Sequence, residues 1–278
     1  MRLKRIAFVR KTVIYIVTVI TSCCILFQFF VMLSTSLKPK AEVFHIPPYW
    51  IPHHIRFLNY IEMWKIAPLA RYFLNSIIVA SGATALAIGV AIPAAYALAR
   101  LRFNGRRAFL YLVLITQMFS PIVIIIGLYR AMAVMGMLNT YQSLIITFAA
   151  FNQAFSVWLL TGYFQTIPLE IEEAALIDGC SRMQALRWIL FPLSAPGIVA
   201  TVIFVFIWAW NEFMIALTFT STPEMRLLTV GLFRFMGRYE IEWHYLMGAS
   251  LLATIPVLVL FLLIQRKLVQ GLTAGAIK

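Results

Sequence analysis

Six long apolar runs constrain the fold of this 278-residue chain more than any other feature. A helix needs about 20 mostly apolar residues to cross a bilayer. We place such runs at about 13–35, 70–98, 108–134, 141–163, 194–217 and 245–265. Only helices or closed barrels satisfy their backbone groups in lipid, and the alternating ten-residue segments of a barrel are absent. The sequence therefore predicts an all-α membrane protein with six transmembrane helices, forming a single membrane domain over 1–278.

Composition supports this prediction and the basic residues indicate an orientation. Hydrophobic residues make up 62% of the chain and charged residues 12%, against roughly 45–50% and about 25% in soluble domains. Lys and Arg favour short cytoplasmic loops, and among the short loops here the densest in basic residues is 100–107. We expect both termini on that side of a bacterial or archaeal inner membrane. The net charge of +13 reflects basic residues that flank apolar runs, so it does not indicate nucleic-acid binding.

Motifs for metal, nucleotide or catalytic sites are missing from the sequence. His53 and His54 are adjacent, but no third and fourth ligand follows at a useful spacing. No G-x-x-x-x-G-K-[ST] phosphate loop occurs, so any ATP must be bound by another polypeptide. No His, Asp and Glu constellation with catalytic spacing is present either. We therefore expect a subunit that is not itself an enzyme and holds no metal.

One segment predicted to be cytoplasmic, 165–192, differs from the rest of the chain because it carries start and stop signals for short helices. Pro168 suits the first position of a helix, and Gly179 can adopt the left-handed conformation that ends one. Ser181 with Gln184 makes a capping box that begins a second helix. We expect a helix, a sharp turn and another helix along the membrane face, a shape suited to docking a partner.

The same segment resembles the EAA loop of ABC-importer permeases, whose pattern is E-A-A-x3-G-x9-I-x-L-P. Residues 173–192 fit this pattern except at Phe191, which stands where the pattern has Leu. The resemblance implies that the segment forms a coupling helix that docks an ATP-hydrolysing subunit. The candidate docking residues are Glu173, Ala174, Ala175, Asp178 and Gly179.

Shorter fragments in the right order extend the resemblance over nearly the whole chain. They are Ser36-Leu37-Lys38-Pro39, Asn75-Ser76, 95–100, Trp210-Asn211-Glu212-Phe213 and 271–276. Together they resemble the second, six-span permease of maltose- and trehalose-type sugar importers, a type I ABC importer fold. The resemblance implies a homologous second permease, two ATPase subunits that hold ATP and Mg, and an external sugar-binding protein. Disaccharide, oligosaccharide, amino-sugar and glycerol-phosphate systems share the pattern.

Polar residues inside the predicted spans are candidates for the translocation pathway, because lipid penalises them. They are Gln117, Asn152, Gln153, Asn211 and Glu212, joined by Trp210, whose ring can stack on a sugar. In such importers the external loop before the last span reaches towards the binding protein; an ordinary solvated loop is the alternative. The candidates there are Arg226, Arg234, Arg238, Tyr239, Trp243 and His244.

Two alternatives remain at this stage. Alanines recur at every fourth residue from Ala83 to Ala99; small residues at this spacing let helices approach closely, either within this chain or against a partner subunit. The alternative function is a secondary transporter driven by an ion gradient. Such a transporter would usually need embedded carboxylates or half-helix ion sites. Glu212 is the only acidic residue in a predicted span, and the segment 165–192 would be unexplained.

Overall fold

The structure, a computed structural model, describes residues 2–237 and 239–274 and has no β-strand among them. The all-α prediction is confirmed. Its α-helices are α1 (Arg2–Ser36), α2 (Lys40–Val43), α3 (Asn59–Ile66), α4 (Leu69–Arg100), α5 (Arg106–Thr116), α6 (Pro121–Val134), α7 (Tyr141–Thr166), α8 (Leu169–Ile177), α9 (Arg182–Ala185), α10 (Phe191–Leu193), α11 (Ala195–Asn211), α12 (Met214–Phe219), α13 (Leu228–Gly231) and α14 (Trp243–Ala274). A π-helical turn, Leu186–Leu190, joins α9 to α10, and 3-10 turns cover Pro223–Met225 and Leu232–Phe235.

Four predicted spans correspond to single helices that are long and apolar enough to cross a membrane, namely α1, α4, α7 and α14. The run 108–134 covers α5 and α6, which meet at 90°. The run 194–217 begins with α11, which meets the preceding helical stretch Arg182–Leu193 at 79°. The continuous helix predicted over 108–134 is therefore wrong. Pro121 begins α6, and proline disfavours a helical conformation in the residue before it. Likewise, the run 194–217 is interrupted between Asn211 and Met214.

The chain divides into two compact units, and the single domain predicted over 1–278 stays a prediction. The first unit comprises Met1–Leu69 and Leu232–Ile255. Within it, the amide of Asn59 in α3 donates to the backbone oxygens of Ser36 (2.9 Å) and Lys38 (2.8 Å). Exposed apolar side chains along α1, such as Leu26, mark a surface suited to lipid.

The second unit, Ala70–Gly231 with Pro256–Lys278, contains the main apolar cluster. Side chains of α4, α7, α11 and the turn before α10 form this cluster. Ala83, Ala87, Ala91 and Ala95 are fully buried within the chain, and Ala99 packs against the cluster. This row of small residues is therefore used for packing within the chain, which was one of the two alternatives.

Candidate docking helix and translocation cavity

Helix α8 begins and ends where the local sequence signals place it, within one residue. Pro168 occupies the N-cap, one position before the predicted first turn, with φ −54° and ψ 138°. Gly179 has φ +90°, the left-handed conformation. Its N–H donates to the Leu176 carbonyl (3.2 Å), and the Cys180 N–H donates to the Ala175 carbonyl (3.0 Å). These two bonds form a Schellman motif that ends the helix.

Helix α9 starts with the predicted capping box. The Gln184 N–H donates to Ser181 Oγ (3.3 Å), and the Ser181 N–H donates to Gln184 Oε1 (2.7 Å). The helix, turn and helix expected between 165 and 192 are confirmed. Because α9 continues through the π-helical turn and α10 towards α11, the segment is tied directly to a membrane-length helix pair.

Helix α8 has an exposed face and a buried face. Among the predicted docking residues, Glu173, Ala174, Asp178 and Gly179 are exposed, whereas Ala175 is 5% exposed. Ala175 lies one helical turn from Glu172, which is 4% exposed, so both face the interior of the chain. The structure thus places Ala175 in the packing beneath α8 and leaves the other predicted residues open to a partner.

Glu172 is the centre of a polar cluster that the sequence reasoning missed. Tyr96 Oη donates to Glu172 Oε1 (2.6 Å), and Arg100 Nε lies 3.2 Å from Glu172 Oε2. Arg100 Nη2 also donates to the Ile167 carbonyl (2.9 Å) at the end of α7. The side chains of Arg100 and Glu172 are 6% and 4% exposed. We call Tyr96, Arg100, Glu172 and the Ile167 carbonyl the Glu172 cluster.

A cavity of about 780 Å³ in the second unit brings four of the six predicted pathway residues together. Gln117, Asn152, Asn211 and Glu212 all line it. The remaining lining is mainly aromatic and includes Phe151, Phe155, Phe204, Trp208 and Phe213. Amide groups beside aromatic rings are the arrangement found in pockets that bind polar molecules with apolar faces.

Two interruptions of helical structure meet at this cavity. Gln117 lies between α5 and α6, and Glu212 lies between α11 and α12. Gln117 Nε2 donates to the Phe151 carbonyl (3.0 Å). The carboxylate of Glu212 accepts the N–H groups of Ile215 (2.9 Å) and Ala216 (3.1 Å), so it caps α12. Non-helical backbone at membrane depth is tolerated where it lines a cavity or is buried in protein.

Trp210 and Gln153 do not line the cavity. Trp210 is 4% exposed and packs against Phe73 and Phe206, with ring centroids 5.5 and 5.9 Å away. The cavity tryptophan is Trp208, which stacks on Phe151. Side chains that are two residues apart on a helix point in directions about 200° apart. The structure therefore places Trp208, and not the predicted Trp210, on the side of α11 that faces the cavity.

The predicted binding-protein contacts occupy different environments in the two units. In the second unit, the amide of Asn75 donates to the carbonyl of Arg226 (2.9 Å) and accepts from Tyr141 Oη (2.8 Å). In the first unit, Arg234 and Tyr239 are exposed and Trp243 is half-buried. His244 is buried and lies 3.7 Å from Glu242. Arg238 lies outside the described residues.

Residues 87–273 match the model of a family described as binding-protein-dependent transport system inner membrane component. The chain belongs to this family. Helix α8 and the whole cavity lining fall inside the matched stretch. The resemblance inferred from the EAA pattern is therefore confirmed, and helix α8 and the cavity belong to an inner membrane component of a binding-protein-dependent transport system.

Permease relatives match nearly the full length of this inner membrane component. The sulfoquinovosyl glycerol transport system permease protein of Agrobacterium fabrum is 36% identical over 247 residues, covering 89% of this chain and 87% of that protein. The trehalose/maltose transport system permease protein of Thermococcus litoralis is 36% identical over 272 residues, 97% of each chain. A diacetylchitobiose uptake system permease protein of Streptomyces coelicolor is 35% identical over 254 residues, 91% and 92% of the two chains. These relatives are transport permeases, so the chain is a non-enzymatic membrane subunit.

A solved structure shares the fold. A bacterial ABC transporter involved in the import of the acidic polysaccharide alginate contains a chain that matches with a TM-score of 0.80 and 23% identity. That match covers 93% of this chain and 96% of the other. A second structure, with a TM-score of 0.63, is an alginate ABC transporter in complex with an alginate pentasaccharide-bound periplasmic protein. The ABC-importer permease fold predicted from the resemblance is confirmed.

Proposed function

We propose that the chain is one of two membrane-spanning subunits of an ATP-driven importer for a carbohydrate. The observation that carries the proposal is the exposed face of α8, formed by Glu173, Ala174 and Asp178 next to the Gly179 turn. Membership of a binding-protein-dependent family supports it. So do relatives whose names refer to sulfoquinovosyl glycerol, trehalose/maltose and diacetylchitobiose. We name these exposed residues the docking face.

The proposed complex contains a homologous second permease, two ATPase subunits and an external sugar-binding protein. ATP and Mg are held by the ATPase pair, because this sequence has no phosphate loop. The docking face meets the ATPase on the cytoplasmic side, where Glu173 offers a carboxylate to a basic group. Ala174 has no side chain beyond Cβ and permits close approach. ATP-driven closure of the ATPase pair then moves α8 and the helices attached to it.

The cavity supplies this chain's half of the translocation pathway. Sugars present C–H faces, which suit the rings of Trp208 and Phe151, and hydroxyls, which suit amides such as Asn152 and Gln117. No lysine or arginine is among the residues that line the cavity. In the segment 218–244, which the sequence predicts to be external, Arg234 and Tyr239 are exposed and suited to contact the sugar-binding protein, with Arg226, Arg238 and Trp243 as further candidates.

The test is purification of the complex from its native host in mild detergent, followed by identification of the co-purifying proteins and an ATPase assay. We expect a second permease and an ATPase. Glu173→Lys and Gly179→Asp should leave membrane insertion intact and abolish transport. The lysine would repel the basic partner group, and aspartate strains the left-handed turn. Glu173→Gln keeps the shape without the charge and should have an intermediate effect.

Two outcomes would reject the proposal. One is normal substrate-stimulated ATPase activity in both severe variants. The other is recovery of this chain alone, with uptake that follows a proton or sodium gradient and ignores ATP. The second outcome would favour the gradient-driven transporter. Membership of a binding-protein-dependent family argues against that alternative.

A further inference from the structure

The docking face needs a firm attachment to the membrane helices if its movement is to reach them. Along the backbone, α8 is joined to α7 only through Ile167 and Pro168, and to α9 through 178–181. Two short backbone links allow a nine-residue helix to pivot. Side-chain contacts must therefore fix its direction, and the buried face of α8 carries one polar side chain, Glu172.

We infer that the Glu172 cluster is the link through which a movement of α8 is passed to α4 and α7. The hydroxyl of Tyr96 and the guanidinium of Arg100 hold the two oxygens of one carboxylate, at 2.6 and 3.2 Å. Tyr96 holds Oε1 through a hydrogen bond and Arg100 holds Oε2 through an ion pair, and both residues lie in the last two turns of α4. The direction of the Glu172 side chain, and with it the rotation of α8, is thereby fixed relative to α4.

Arg100 also connects the third element. Its Nη2 donates to the carbonyl of Ile167 at 2.9 Å, so one guanidinium contacts α8 and the peptide that leads out of α7. This bond holds the chain at the point where α8 would otherwise pivot. A planar guanidinium has several donors in a fixed arrangement. A lysine has the same charge but lacks this fork.

The position of the cluster favours coupling over simple stabilisation. Tyr96 and Ile167 both belong to the main apolar cluster of the second unit, so the link ends in tightly packed side chains of α4 and α7. Glu172 and Glu173 are neighbours on α8, and one is buried while the other is exposed. A force applied to Glu173 by a partner therefore reaches Glu172 within the same turn of helix and continues into the core.

This inference rests on the proposed function, and its test is the number of sugar molecules transported per ATP hydrolysed. The full complex is reconstituted in proteoliposomes with its binding protein. Tyr96→Phe removes a single hydroxyl and keeps the ring, Glu172→Gln removes the charge, and Arg100→Lys removes the fork. We expect each variant to assemble with its partners and to keep basal ATPase activity, while transport per ATP falls about fivefold or more.

Two matched controls make the same chemical changes at exposed positions. Tyr111→Phe and Arg102→Lys should leave transport per ATP at the value of the unsubstituted complex, because both side chains are exposed. In the double variant Tyr96→Phe/Glu172→Gln the loss should be smaller than the product of the two single losses, since Tyr96→Phe removes, and Glu172→Gln weakens, the same hydrogen bond.

The outcomes separate the link from the function it serves. Unchanged transport per ATP in Tyr96→Phe and Arg100→Lys, in a complex whose transport depends on ATP, would overturn the link alone. Parallel losses of assembly, ATPase activity and transport would also overturn it, because a purely structural contact lowers all three together. ATP-independent transport by the unsubstituted complex would overturn both the link and the proposed function.

Discussion

The segment 165–192 and the cavity each contain a glutamate whose carboxylate accepts hydrogen bonds. The two glutamates differ in how far along the chain their hydrogen-bond donors lie. Glu172 accepts from Tyr96, 76 positions earlier in the chain. Glu212 accepts from the backbone of Ile215 and Ala216, three and four positions later. Glu172 therefore joins separate helices, whereas Glu212 fixes a local break in a helix. The comparison indicates a transmitting role for the first and a shaping role for the second.

The largest effect on stability is expected at Glu172, whose partners are distant in the sequence. Glu172→Ala would leave Arg100 buried, 6% exposed, without its counter-charge. Breaking such a pair costs about 3–5 kcal/mol in the free energy of unfolding. Glu173→Ala, the matched change at the exposed neighbour, should cost almost nothing. The measurement is the thermal unfolding midpoint of the purified protein, and equal midpoints for the two variants would remove the distinction between the faces of α8.

The two tryptophans of α11 have different surroundings: Trp208 lines the cavity and Trp210 is buried in the core. Trp210→Ala should lower the free energy of unfolding by about 3–5 kcal/mol, because it empties a buried site between Phe73 and Phe206. Trp208→Ala should destabilise less and reduce sugar uptake, since it removes a stacking surface worth about 0.5–1.5 kcal/mol. Denaturation and initial uptake rates check both. A larger uptake defect in a stable Trp210→Ala protein would reverse the assignment.

A smaller effect on stability is expected at Glu212, whose hydrogen-bond donors are close in the sequence. Glu212→Ala should cost about 1 kcal/mol, because it removes only a side-chain cap from α12. The consequence should be confined to α12, with roughly fivefold faster hydrogen exchange at the amides of Ile215 and Ala216. Faster exchange in α4 or α7 would show that Glu212 also acts at long range, which the comparison excludes.

The smallest effect concerns a carboxylate outside the predicted spans. A hydrogen bond from Tyr245, together with the charge of Arg56, lowers the pKa of Glu62 below its usual 4.5. A lowered pKa in the folded state adds stability above the unfolded value, and this is lost as the pH falls through the folded value. Between pH 6 and about pH 3, Glu62→Gln should therefore lose less stability than the unsubstituted protein. Identical pH profiles would argue against these contacts.

The parts of the structure set by neighbouring residues could be predicted from the sequence. Pro168, Gly179 and the Ser181–Gln184 capping box act within a few positions, and α8 and α9 form as these signals indicate. Among the described residues, four of the six apolar runs also correspond to single helices of membrane length. The bend before Pro121 also has a local cause in the sequence, because the residue before a proline avoids the helical conformation.

The parts set by distant contacts could not be predicted. Nothing in a single sequence pairs Tyr96 and Arg100 with Glu172, since the pairing depends on how α4 and α8 pack. The direction of each side chain around a helix could have been considered. With Glu172 facing inward, the spacing of three residues places Ala175 inward as well. The spacing of two residues places Trp208 and Trp210 on different sides of α11.

The central claim is that α8 docks an ATP-hydrolysing subunit. The most direct measurement places a photo-crosslinking amino acid at Ala174, which is exposed on α8, and illuminates membranes of the native host. We expect a covalent adduct with an ATPase subunit, and no such adduct from the same amino acid at exposed Tyr239. Absence of an ATPase adduct at Ala174, or an equally strong one at Tyr239, would contradict the account.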